Sequence, residues 1–189
     1  MSVTRSGAAL MRLPRRQAIK AIAGAAAAAV VWPSRVLGAG IREPRVVELV
    51  HTHTHEQLSL TVPAGGAHAS DGLAALNRFL RDHRTGDIHP IDPGLLDILA
   101  DLHAAVGASG AYHVISGYRS PRTNAALRER SRGVAAGSLH VEGRAIDVRL
   151  EGVGCSVLRD AAIGLRRGGV GYYAASDFVH LDTGRFRTW

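Results

Sequence analysis

Ser138-Leu139-His140-Val141-Glu142-Gly143-Arg144-Ala145-Ile146-Asp147-Val148-Arg149-Leu150 is the stretch on which the reading of this chain turns. After Gly143 the residues alternate, so that Ile146, Val148 and Leu150 share one face of a strand while Ala145, Asp147 and Arg149 share the other. An aspartate therefore stands in the middle of an apolar strand. Burying a carboxylate is costly unless a cation or several donors compensate it, so something positive is expected beside Asp147. His140 lies one loop earlier and can fold back onto the same point.

A second segment, Asp177-Phe178-Val179-His180-Leu181-Asp182, supplies another imidazole in a β-rich run. His140, Asp147 and His180 make two histidines and one aspartate, the ligand count of a catalytic zinc site with an open fourth position. Spacing does not say how the two segments meet; adjacent antiparallel strands would bring them together.

Around these segments the chain reads as one α+β domain, 40–189, with helices packed on a small central antiparallel sheet. Arg45–Val50 and Leu58–Val62 predict an N-terminal hairpin. Leu73, Leu76, Phe79 and Leu80 recur at helical spacing after Ser70 or Asp71, either of which could cap the helix. A second helix starts near Pro93 and presents Leu95, Leu96, Ile98, Leu99 and Leu102. Strands are expected at Ala111–Ser116, Arg144–Leu150 and Phe178–Asp182, and further helices at Thr123–Arg130 and Val157–Arg166.

Residues 1–39 read differently. They carry Arg5, Arg12, Arg15, Arg16, Lys20 and Arg35 with no acidic residue, and an apolar run from Ala21 to Trp32. That is the charged start and short apolar centre of an export signal, and the run is shorter than the roughly 20 residues a membrane-spanning helix needs. No permanent membrane anchor is expected. Pro14-Arg15-Arg16-Gln17-Ala18-Ile19-Lys20 resembles a twin-arginine signal, which implies the twin-arginine export machinery and a periplasmic destination. Cleavage is expected among Gly38, Ala39 and Gly40.

The charge follows from this division. The chain has 23 basic and 16 acidic residues, and removing the six signal cations leaves 17 against 16. The remaining domain is nearly neutral and has no basic run with interleaved aromatics, so no nucleic-acid partner is expected. Lys20 is the one lysine, which excludes lysine chemistry from the domain. Cys155 is the one cysteine, so there is no internal disulfide, and it reads as a packed residue rather than a nucleophile.

Several other residues attract notice. His51, His53 and His55 alternate and would line one face of a strand, a second place for a metal or, more simply, an exposed hairpin edge. His113 sits in the strand leading to Arg119 and reads as structural, or as a substrate contact. Ser138 reads as a hydrogen-bonding neighbour of the metal site. Tyr118, Tyr172 and Tyr173 would wall a cleft or pack in the core.

The pattern Ser138-x-His140-x-x-Gly143-x-Ala145-x-Asp147 with Asp177-x-x-His180 resembles the zinc peptidases that include D-Ala-D-Ala carboxypeptidases and dipeptidases and the metal sites of hedgehog-type domains. Val114-Ile115-Ser116-Gly117-Tyr118-Arg119-Ser120-Pro121, Gly168-Gly169-Val170-Gly171-Tyr172-Tyr173 and Asp177–Gly184 narrow the resemblance to murein endopeptidase K-like enzymes, over about Arg45 to Trp189. The resemblance implies a fold of that type, Zn2+ held by His140, Asp147 and His180, and Asp177 as general base. It also implies Arg119 as the cation that steadies the substrate or the developing oxyanion. The implied substrate is the peptide stems of peptidoglycan, including the crosslink between two meso-diaminopimelate residues. Phe178 stands where the carboxypeptidase branch carries a further histidine.

Asp177 and His180, three apart, would point to opposite faces of an ideal strand. The strand is therefore expected to begin after Asp177, on a loop that turns its carboxylate into the site. Asp182, two after His180, is the alternative base or an outer partner of a ligand imidazole. A D-Ala-trimming carboxypeptidase or dipeptidase is the rival enzyme reading, and a zinc-containing wall-binding module without turnover is the rival from outside enzymes.

Overall fold

The computed structural model describes residues 45–64, 67–130, 135 and 137–189. Residues 1–39, read above as an export signal, and the expected cleavage point lie outside the described residues.

The two β-rich runs pair as expected: β1 (Arg45–His51) and β2 (Gln57–Val62) form an antiparallel hairpin. α1 (Ser70–Phe79) and α2 (Gly94–Val106) follow. Ser70 and Asp71 lie inside the first turn of α1 and neither caps it; Ala69 holds the N-cap position, and the Asp71 carboxylate accepts the Gly72 N–H at 2.9 Å. α2 closes on Gly107, whose φ of 63° is the left-handed ending that glycine adopts without strain. Then come β3 (Tyr112–Ser116), α3 (Pro121–Arg130), a 3-10 turn (Leu139–Glu142), β4 (Ala145–Leu150) and α4 (Cys155–Leu165). β5 (Gly169–Tyr173), β6 (Phe178–Asp182) and β7 (Arg187–Thr188) complete the chain.

The fold is α+β, but its sheet is neither small nor purely antiparallel. It has seven strands in the order β2-β1-β3-β4-β6-β5-β7, with β1 parallel to β3 and β5 parallel to β7. The chain leaves the hairpin through α1 and α2 before returning beside β1, and a crossover of that kind delivers a parallel neighbour. β5 escapes sequence reading because Gly169 and Gly171 leave alternate positions without side chains. Gly171 is needed there, since a Cβ would stand 2.6 Å from the Trp189 indole.

One face of the sheet carries the core. Val47, Leu49, Tyr112, Val114, Ile146, Val148, Val179 and Leu181 are buried with Leu95, Leu99 and Leu102 of α2 and Leu158 of α4. The wholly buried Tyr112 donates its hydroxyl to the Leu99 carbonyl at 2.8 Å, which satisfies its polar end. Because strand side chains alternate, fixing these residues inward fixes Asp147, His180 and Asp182 on the opposite face. The β3–β4 register shifts between Val114 and Ser116, so that Ser116 pairs with Asp147. That irregularity redirects the chain into the Gly117–Ser120 loop at the edge of the site.

Candidate metal centre

β4 and β6 are antiparallel neighbours whose register sets Asp147 opposite His180. The Asp147 Oδ1 lies 2.9 Å from His180 Nδ1. His140, on the 3-10 turn just before β4, brings its Nε2 to 3.1 Å from His180 Nδ1 and 3.3 Å from Asp147 Oδ1. All three residues are buried, and their ligand atoms lie within 4.8 Å of one another.

The surrounding hydrogen bonds assign the tautomers. His140 Nδ1 is 2.7 Å from the Gly117 carbonyl, an acceptor only, so Nδ1 carries the hydrogen and Nε2 a lone pair. His180 Nε2 is 3.1 Å from Asp182 Oδ2, so Nε2 donates and Nδ1 carries the lone pair. Two imidazole lone pairs and a carboxylate oxygen therefore converge with no donor among them. A cation at their centre satisfies all three, and two nitrogens with one oxygen suit a divalent metal.

Protonation competes for the same place. Burial works against a charge on His180, but the hydrogen bonds to Asp147 and Asp182 outweigh it and raise its pKa. Burial likewise pushes the Asp147 carboxyl up, yet His140 and His180 hold it below the usual carboxylate range.

Each of the two imidazole rings is held from behind. Asp182 is wholly buried and both its oxygens are engaged: Oδ1 accepts the N–H groups of Gly169 (3.0 Å) and Gly184 (2.8 Å), and Oδ2 accepts Arg187 Nη2 (2.7 Å) besides His180. Burial raises its pKa and these bonds, that from His180 first, lower it overall. The Gly117–Ser120 loop that orients His140 is tied down by Asp82, 1 % exposed, whose Oδ2 accepts the Ser120 N–H (2.9 Å) and hydroxyl (2.7 Å). In the same loop the Arg119 N–H donates to the His140 carbonyl at 3.1 Å. The Arg119 guanidinium approaches Asp147 Oδ2 (3.4 Å) and Ser116 Oγ (3.3 Å), and its Nε is buried without a partner.

The three donors open on a cleft of about 500 Å3 that is also lined by Arg119, Ser138, Tyr173, Phe178, Arg187 and Trp189. Tyr173 and Phe178 stack with centroids 4.6 Å apart. The Trp189 indole N–H donates to the Tyr173 hydroxyl at 3.0 Å, and its ring lies 5.2 Å from that of His180. Arg187 and Trp189 give no signal in the sequence: their place depends on a turn after Asp182 that brings β7 beside β5. Of the tyrosines, Tyr173 walls the cleft, Tyr118 stacks on His89 and Tyr172 packs against the core.

Other expected site residues lie elsewhere. β6 does begin after Asp177, but Asp177 takes a left-handed conformation (φ 50°) that turns its carboxylate outward. Its side chain is 70 % exposed and pairs with Arg149 Nε at 3.4 Å. It lines a separate hollow of about 310 Å3 with His113, Arg149 and Cys155, so neither Asp177 nor His113 reaches the cleft. Ser138 stands on the cleft wall and makes no hydrogen bond to the three donors. Among the described residues lining the cleft, Asp147 is the one carboxylate.

His51 corrects a simpler expectation. It is wholly buried rather than on an exposed edge, and its Nδ1 accepts the His53 N–H at 3.1 Å, which leaves Nε2 carrying the hydrogen and unsuited to a metal. The His53 ring stacks on His83 at 4.1 Å, not on His55.

Comparison with known proteins agrees with this geometry. The family model described as peptidoglycan L,D-endopeptidase MepK matches residues 40–189. The chain is 42 % identical over 175 residues to the peptidoglycan L,D-endopeptidase MepK of Escherichia coli (strain K12), covering 92 % of this chain and 96 % of that protein. It is 38 % identical over 170 residues to the probable peptidoglycan L,D-endopeptidase MepK of Haemophilus influenzae, covering 89 % and 91 % respectively. With a sheet that gathers two histidines and an aspartate at one cleft, and with similarity of that extent, the chain belongs to the MepK family of peptidases.

Proposed function

We propose that this peptidase is an exported, zinc-dependent endopeptidase that hydrolyses peptide crosslinks of peptidoglycan, including the bond between two meso-diaminopimelate residues. The observation that carries the metal reading is the meeting of three acceptors, His140 Nε2, Asp147 Oδ1 and His180 Nδ1, with no donor between them. The relatives, named as L,D-endopeptidases of peptidoglycan, support the choice of bond.

His140, Asp147 and His180 would hold the ion. When bound, zinc supplies a Lewis acid for the scissile carbonyl and lowers the pKa of water at neutral pH. The chain's own groups do the rest. Gly117 and Asp182 fix the two rings in the tautomers that point lone pairs at the centre, so little reorganisation is left for binding. Arg119, with one nitrogen on Asp147 and a buried Nε unpartnered, offers donors to the carbonyl oxygen as it gains charge. Tyr173, Phe178 and Trp189 form an apolar wall that keeps bulk water from one side of the bond. Asp177 and Asp182 are not placed to take a proton within the cleft, the first being turned out to Arg149 and the second fully engaged.

The proposed location is the periplasm, reached through the twin-arginine signal in residues 1–39. No described helix is long and apolar enough to cross a membrane.

The test is digestion of purified peptidoglycan of defined crosslinks, with and without chelator, and identification of the fragments by mass. Fragments ending at diaminopimelate, lost on chelation and restored by zinc, are expected. Release of D-alanine alone would replace the endopeptidase by a carboxypeptidase, and chelator-insensitive cleavage would remove the metal from the reaction.

A further inference from the structure

α3 leaves the cleft directly behind Arg119. Arg122, Ala126 and Arg130 recur at the spacing of one helix face and are all exposed, while Thr123 and Asn124 turn inward and are buried. On the outer face Arg122 and Arg130 meet Arg84, from the loop after α1, around a second concavity of about 500 Å3. Among the described residues, none of these three guanidinium groups has a hydrogen-bond or ion-pair partner. Among the described residues the one carboxylate on the rim, Asp87, accepts the Thr85 hydroxyl at 2.8 Å.

Asp82 ties the rim of this hollow to the loop that carries Arg119. Asp82 Oδ1 accepts the Arg84 N–H at 2.9 Å while its Oδ2 holds Ser120, the residue after Arg119. Arg119 lines the cleft, and Arg122 and Thr123, three and four positions further on, line the hollow. An extended peptide advances about 3.3–3.6 Å per residue, so four residues cover roughly 14 Å, more than the 10–12 Å width of a helix.

We propose that Arg84, Arg122 and Arg130 form an anionic subsite that receives the free carboxylates of the peptide stem leading away from the bond held in the cleft. The proposal rests on the peptidoglycan reading given above. Three like charges around one concavity, without a partner among the described residues, repel one another and are relieved by an anion. Guanidinium groups match carboxylates in shape, each offering two parallel N–H donors. A diaminopimelate residue keeps a carboxylate that its crosslink does not use, so a crosslinked stem brings the complementary charge.

The subsite lies away from the reacting atoms, so its contacts are the same in ground state and transition state and act on KM rather than kcat. The experiment compares the parent protein with the variant Arg84→Gln/Arg122→Gln/Arg130→Gln. Both are assayed with zinc on a soluble crosslinked stem dimer bearing free carboxylates, and on the same dimer with those carboxylates amidated. On the free-carboxylate dimer the variant should show about a tenfold higher KM at unchanged kcat. On the amidated dimer the two proteins should have equal KM. Equal KM on the free-carboxylate dimer overturns the proposal, as does an equal loss on both dimers or a fall in kcat accompanied by lower metal content. If the parent itself cleaves neither dimer, the peptidoglycan reading fails and takes the subsite with it.

Discussion

Asp147 and His180 are direct cross-strand partners on β4 and β6, with Oδ1 and Nδ1 2.9 Å apart, and His140 closes on the pair from the preceding turn. The candidate metal site is thus built into the register of the sheet, with one of its donors on each of two hydrogen-bonded strands. Sites on rigid elements hold their geometry better than sites on loops.

Asp147→Asn keeps the size of the side chain but removes the only negative charge among the three donors. Metal retained after dialysis should fall at least about tenfold, since an outer-sphere change alone costs that much. In the parent, a ligand that binds only the folded state raises Tm, so chelation should lower it. The variant's Tm should not respond to chelator. Thermal unfolding with and without chelator, alongside metal analysis, checks both.

In the proposed site Asp182 would act on the metal through the His180 ring. Asp182→Asn offers Nε2 a weaker acceptor and leaves Arg187 without its ion-pair partner. A roughly 10–100-fold loss of metal affinity is expected, read by competition with a chelator of known strength. Full activity restored at high zinc would separate this role from that of a base.

Asp177 faces Arg149 and solvent. Asp177→Asn should leave kcat within about twofold, because its carboxylate stands outside the cleft and the exposed pair it makes contributes little to stability. A large loss of kcat with zinc still bound would show that the turn before β6 rearranges to bring the carboxylate in.

Arg119 lines the cleft beside Asp147 and is the group proposed to face the carbonyl oxygen. Removing one such donor typically costs about 10²–10³ in kcat. Arg119→Ala should show a loss of that order with metal content unchanged, and a matching loss of metal would instead make Arg119 a support for Asp147.

Asp82 links acid stability to the site. Burial raises its pKa, but the hydrogen bonds from Thr123 and Ser120 and the backbone N–H of Arg84 lower it further, so it is depressed below the ordinary 3.8. A depressed native pKa contributes stability that is constant above 3.8 and is lost as pH falls below it toward the native value. Tm should therefore drop as pH is lowered from 5 to 3. In Asp82→Asn that drop should be shallower, from a start about 2 kcal/mol less stable at pH 7 because buried donors lose their acceptor.

The chain order alone settled a good part of this. Alternation over Ala145–Leu150 and Phe178–Asp182 is a local property, so the faces of β4 and β6, and with them the three donors, were legible from residue types. The helical spacing of α2 and the hairpin were legible for the same reason. Side-chain period, unlike position in space, is carried by neighbours in sequence.

What the tertiary structure decided are the relations between distant segments. Asp177 turns outward because its backbone is left-handed and Arg149, 28 positions earlier, receives it. His140 presents Nε2 because a carbonyl 23 positions earlier takes Nδ1–H, and Asp182 is a holder of His180 because Gly169, Gly184 and Arg187 saturate it. The parallel pairing of β1 with β3, the glycine-spaced β5 and the seat of Trp189 against Gly171 likewise depend on which strands meet. Register and hydrogen-bond saturation arise between elements, and no pattern within a single element encodes them.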